Sequence, residues 1–95
     1  MSGELAAPRE ANPATVTVLY FAALRDLAGQ SEEQVSLPGS PQPVATLLAE
    51  LEARHGGLRG RLQAVRVAVN EEFVEKSSEL RGGDVVALIP PVSGG

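Results

Sequence analysis

The residues with chemistry to offer stand at the end of this chain: Pro90-Pro91-Val92-Ser93-Gly94-Gly95. No side chain after Asp84 carries a charge. Each proline lacks an N–H and fixes φ, so the pair cannot prolong a central strand. The last six residues therefore read as a thin arm that can reach up to roughly 20 Å from the folded body. Gly94 and Gly95 lack a Cβ and suit a slot too narrow for other residues. The terminal carboxylate, with an ordinary pKa of about 3.5, leads the arm in ionised form. Such an arm fits a carrier whose working group is its own C-terminus.

Other chemistries lack their residues. The 95-residue chain has no cysteine, which excludes disulfides, thiolate metal sites and a cysteine nucleophile. Its one histidine, His55, has no second histidine to build a metal site, and it reads as a solvated residue at a helix end. No P-loop, G-x-S-x-G, G-x-G-x-x-G or EF-hand spacing is present. A net charge of −4 argues against nucleic acid. No run of apolar residues is long enough for a membrane span, and the start lacks signal-peptide character. A cytoplasmic protein without a bound metal or cofactor is expected.

The elements that must position the arm follow from periodicity. Residues 1–14 show none and read as a disordered leader, followed by a domain over 15–89 and the tail over 90–95. Thr15 to Phe21 is β-branched and aromatic, a strand. Ala22 to Ala28 is a short helix stopped by Gly29, and Glu33 to Leu37 returns as a second strand. Three prolines within Pro38 to Pro43 make a loop. Val44, Leu47, Leu48 and Leu51 fall at i, i+3, i+4, i+7 and predict the main helix, Val44 to Arg54, with Pro43 at its first position and Gly56-Gly57 at its end. Its leucine stripe is core. Val65 to Val69 alternates as a half-buried strand, Asn70-Glu71-Glu72 turns, and Phe73-Val74 starts a short return. After a turn at Leu80 to Asp84, the apolar run Val85 to Ile89 predicts a strand in the middle of the sheet.

The order β-β-α-β-β-β predicts an α+β, ubiquitin-like β-grasp fold, with a mixed sheet of four to five strands on one main helix. The first and last strands are expected side by side and parallel. A central last strand would give the arm a rigid root.

Val16 to Gly29 (VTVLYFAALRDLAG), Ala68-Val69-Asn70, and Asp84 through Pro90-Pro91-Val92-Ser93-Gly94-Gly95 resemble the small-subunit family of molybdopterin synthase, the MoaD-type sulfur carriers. The resemblance covers roughly Thr15 to the end. Gly-Gly alone does not separate this family from thiamine-type sulfur carriers or ubiquitin-like modifiers. The P-P-V-S that precedes it disfavours the thiamine type.

That resemblance implies a non-catalytic small subunit of a sulfurtransferase complex acting in molybdenum cofactor biosynthesis. An E1-like enzyme, consuming ATP, adenylates Gly95. A sulfur donor outside this chain displaces AMP and leaves a thiocarboxylate. The arm then enters the large synthase subunit, which holds the catalytic residues, in a heterotetramer of two small and two large chains. There it delivers sulfur to cyclic pyranopterin monophosphate. Gly94 supplies thinness, and Pro90, Pro91, Val92 and Ser93 position the arm. The resemblance also places partner-facing apolar positions at Phe21, Phe73 and Ile89. Arg25 serves either an acidic partner group or a solvated surface. Arg59, Arg61 and Arg66 read as a solvated face.

Overall fold

Strict alternation sets the first strand. In β1 (Thr15–Tyr20) every second residue, Val16, Val18 and Tyr20, is buried, as expected where one sheet face meets the core and the other does not. The computed structural model describes residues 15–91, so the leader over 1–14 and the tail from Val92 lie outside the described residues. After β1 come α1 (Ala23–Ala28), β2 (Glu32–Ser36), β3 (Gln42–Pro43), α2 (Val44–Arg54), a 3-10 turn (Gly56–Leu58), β4 (Arg66–Val69), β5 (Glu72–Val74), β6 (Glu79–Leu80) and β7 (Val85–Ile89).

Five strands form a mixed sheet in the order β2-β1-β7-β4-β5. β7 lies in the middle, parallel to β1 and antiparallel to β4. This is the β-grasp arrangement expected from the order of elements. Val44, Leu47, Leu48 and Leu51 of α2 are buried against the inner face with Val18, Val86 and Leu88. Each fully buried leucine contributes roughly 1.5–3 kcal/mol of transfer free energy.

Several local expectations need correction. Pro43 is the N-cap of α2, extended at φ −63° and ψ 151°, and Val44 takes the first helical position. Pro43 also pairs with Glu79 in a two-stranded ladder of β3 and β6 that the sequence did not announce. Two paired residues per strand leave no periodicity to detect. Gly29 does close α1 in the left-handed conformation, at φ 78°. Gly56-Gly57 opens the 3-10 turn instead of capping α2, whose C-cap is His55. Gly57 is required for closeness: a Cβ there would stand 2.7 Å from the carbonyl oxygen of Leu27 in α1.

His55 is not a solvated helix end. Its side chain is 18% exposed, and its Nε2 lies 2.8 Å from Oε1 of Glu33 on β2. The same oxygen accepts a hydrogen bond from the Tyr20 hydroxyl at 2.7 Å, while Oε2 accepts from Nη1 of Arg54 at 3.2 Å. Arg54 also donates to Glu50, one helical turn back. The cluster joins β1, β2 and the end of α2. Burial by itself raises the pKa of Glu33. The hydrogen bonds from Tyr20 and His55, then the charge of His55 and the hydrogen bond from Arg54, override it and hold the carboxyl below its usual value. Burial, reinforced by the Glu33 hydrogen bond and charge, pushes the Tyr20 hydroxyl far above its usual value.

A carboxyl with a depressed folded-state pKa contributes stability that is complete above its unfolded value, about 4.3, and is lost as pH falls through the lower folded value. Glu33→Gln should therefore cost about 1–3 kcal/mol near pH 7. The gap between wild-type and variant melting curves should close as pH falls through the depressed folded-state value, once the wild-type carboxyl is protonated as well. A constant gap across that range would show that Glu33 acts through packing alone.

Candidate functional site

The pleat that buries one face of the sheet turns a second set of side chains outward. Leu19, Ala87, Ala68 and Phe73 stand in one row across β1, β7, β4 and β5, each facing its register partner. Ile89 pairs with Arg66 in the same outward set. Phe21, just past β1, continues it and lines a groove of about 470 Å³ with Leu19, Ala68, Asn70, Glu71, Val85 and Ala87. The floor consists of two alanines, and larger apolar groups rise around it. Phe21 is 44% exposed and Phe73 58%. Isolated exposed apolar residues are ordinary on a protein surface, but a contiguous patch on one sheet face marks an interaction site.

The structure thus brings Phe21, Phe73 and Ile89 to one face, as expected, and places both phenylalanines outside the core. Arg25 is exposed on α1, one turn beyond Phe21, and makes no side-chain hydrogen bond or ion pair among the described residues. Pro90 is half-buried and Pro91 exposed where the chain leaves the sheet. The four remaining arm residues, Val92, Ser93, Gly94 and Gly95, lie outside the described residues.

The arm's root is held from both flanks. Leu88 pairs with Tyr20 on one side and Val67 on the other, and the Leu88 carbonyl accepts from the Phe21 N–H at 3.2 Å. Asn70 fastens the opposite end of β7. Its Oδ1 accepts from the Val85 N–H at 3.0 Å, and its Nδ2 donates to Asp84 at 3.0 Å. Asp84 in turn accepts from the Arg81 N–H at 2.8 Å. Asn70 and Glu71 both adopt positive φ, 51° and 74°, as tight two-residue hairpins require. Asn70 is thus a clamp on the central strand as well as a turn residue. Its type suggested a turn, but the contact with β7 depends on pairing that no local pattern encodes.

Two residues at the site escaped the sequence. Ala22 holds φ 53° and ψ −132° between Phe21 and α1, a conformation that costs a non-glycine residue of order 1–3 kcal/mol. That kink turns the chain from the end of β1 into α1 immediately after the exposed Phe21. Arg66, read as part of a solvated face, sits with its guanidinium carbon 4.1 Å from the centroid of the Phe73 ring. Both features depend on three-dimensional neighbours and leave no pattern in the sequence.

The description of the ThiS family matches residues 18–95. The chain is 39% identical over 83 residues to the molybdopterin synthase sulfur carrier subunit of Homo sapiens, covering 84% of this chain and 93% of that one. Among solved structures it resembles a protein assigned as molybdopterin converting factor subunit 1 from Pyrococcus furiosus, with 37% identity, a TM-score of 0.75 and coverage of 83% and 99%. It also resembles SAMP1, a small archaeal modifier protein of Haloferax volcanii, with 28% identity, a TM-score of 0.76 and coverage of 85% and 99%.

Stability measurements should separate the outer face from the core. Phe21→Ala and Phe73→Ala should each cost about 1 kcal/mol or less, whereas Leu48→Ala, 7% exposed on the buried face of α2, should cost about 2–5 kcal/mol. Ala22→Gly should raise the melting temperature by relieving the strained φ. Thermal melts of the four variants check both statements, and a collapsed Phe73→Ala would return that ring to the core.

Proposed function

The chain belongs to the ThiS family, and from that footing we propose that it is the sulfur carrier of a molybdopterin synthase, acting in molybdenum cofactor biosynthesis. The observation that carries this reading is the central β7, paired on both flanks beside an open apolar face, together with the sequence Pro90-Pro91-Val92-Ser93-Gly94-Gly95 that follows it. Relatives named as molybdopterin synthase sulfur carrier subunits support it across most of the chain. Those names weigh against the thiamine-type alternative.

The mechanism follows from the weakness of a carboxylate as an acyl donor: its charge repels nucleophiles, and oxide is a poor leaving group. ATP, consumed by an E1-like adenylating enzyme, converts the Gly95 carboxylate to an acyl adenylate with release of pyrophosphate. An external sulfur donor attacks the carbonyl, AMP leaves, and Gly95 ends as a thiocarboxylate. With no cysteine in the chain, the sulfur has no source within it. The rigid root then presents the arm to a large subunit, whose residues do the catalysis on cyclic pyranopterin monophosphate. Gly94 lets the arm pass a narrow channel, and Pro90 through Ser93 set its direction. Phe21, Phe73 and Ile89 supply the apolar docking surface, with Arg25 at its margin. The assembly is a cytoplasmic heterotetramer of two small and two large subunits, and ATP is spent by the activating enzyme without binding to this chain alone.

The intact mass of the protein isolated from its native cells tests the carrier. One oxygen-to-sulfur exchange at Gly95 is expected; ladders of lysine conjugates would instead make it a protein modifier, and an unaltered mass an inert module. Appending Ala after Gly95 moves the carboxyl about 3.5 Å too far, and a misplacement of about 1 Å can cost about a hundredfold. That variant should fold and dock yet form no molybdopterin, and Gly94→Val should be adenylated far more slowly than wild type. Phe73→Ala should weaken the complex with the large subunit at least tenfold, or about 1.4 kcal/mol, measured by titration.

A further inference from the structure

Arg66 occupies an unusual place for a cation. Its register partner is Ile89 at the root of the arm, and its guanidinium lies over the ring of Phe73, 4.1 Å from the centroid. Two apolar residues of the docking face therefore flank it. Arg54 is engaged with Glu33 and Glu50, Arg81 with Glu79, and Lys76 with the Gln63 carbonyl, whereas Arg25, Arg59 and Arg61 form no ion pair among the described residues. Among the described residues Arg66 has no carboxylate within ion-pair distance and no side-chain hydrogen bond. Glu75 lines the groove beside it, with Phe73 and Lys76, but forms no ion pair with it.

Stacking uses the flat face of a guanidinium and leaves its in-plane N–H donors open. The group keeps its charge at any physiological pH. A protein surface that covers Phe73 and Ile89 must also cover Arg66 and strip water from those donors. A desolvated cation with no counter-charge opposes association strongly, whereas one that meets a carboxylate adds specificity.

The geometry points to Arg66 as a specificity-determining residue of the docking face: its ring-stacked guanidinium receives a carboxylate from the partner, an Asp or Glu side chain set within an apolar surface. This rests on the proposed docking of the large subunit through the outer sheet face and adds the chemistry that the partner must bring. Phe73 contributes apolar area and also holds the guanidinium over its ring. A partner that offers only apolar groups would leave Arg66 buried and unpaired, and would be rejected.

A charge series at this one position tests the assignment. Purified large subunit is titrated against wild type, Arg66→Lys, Arg66→Ala and Arg66→Glu at low and high salt, with a melting curve for each variant. Wild-type binding is the control for the docking reading itself; its absence would overturn that reading and this inference together. With wild-type binding in hand, Arg66→Glu should raise Kd at least tenfold more than Arg66→Ala does, because it sets two carboxylates face to face. Arg66→Lys should fall between wild type and Arg66→Ala, since it keeps the charge but loses the planar fork. High salt should narrow the gap between Arg66→Glu and Arg66→Ala, with melting temperatures unchanged. Equal Kd for Arg66→Ala and Arg66→Glu, or wild-type affinity in Arg66→Glu, would overturn the assignment and leave Arg66 as cover for the Phe73 ring.

Discussion

The two-sided hydrogen bonding of β7 is the constraint on which the rest of this protein depends. A strand that pairs with β1 on one side and β4 on the other cannot shift without breaking two ladders. A slip by one residue would also turn Val86 and Leu88 out of the core. The parallel pairing to β1 demands a crossover, which α2 provides while covering the inner face. The chain therefore leaves the sheet at Pro90 from a strand held on both sides.

The same pleat separates folding from recognition. Residues that point inward from β1, β4 and β7 meet the leucines of α2, while their immediate neighbours point outward to Leu19, Phe21, Ala87, Ile89 and Phe73. The outer apolar residues add little to stability because little covers them in the isolated chain. Arg66, over the Phe73 ring, sets a charge beside those outer apolar residues.

The Glu33 cluster has the opposite role. A largely buried carboxylate with three donors from β1 and α2 ties the sheet edge to the end of the helix. It lies on the inner side, with Tyr20 paired to Leu88 of β7. Its net contribution comes from satisfying groups that burial has already stripped of water, so losing any one partner exposes the cost of the others.

The sequence by itself determined the strand and helix periods, the left-handed stop at Gly29 and the apolar last strand. From these the β-grasp order and a central β7 could be read, because each rests on spacing along the chain. It could not reveal that His55 meets Glu33 across 22 positions, that Asn70 clamps Val85 and Asp84, or that β3 pairs with β6. Those contacts depend on which segments the tertiary structure lays side by side. The outward row joining Leu19, Ala87, Ala68 and Phe73, and the stacking of Arg66 on that ring, have the same origin: alternation names a strand's two faces, but only strand order and register decide which residues share one.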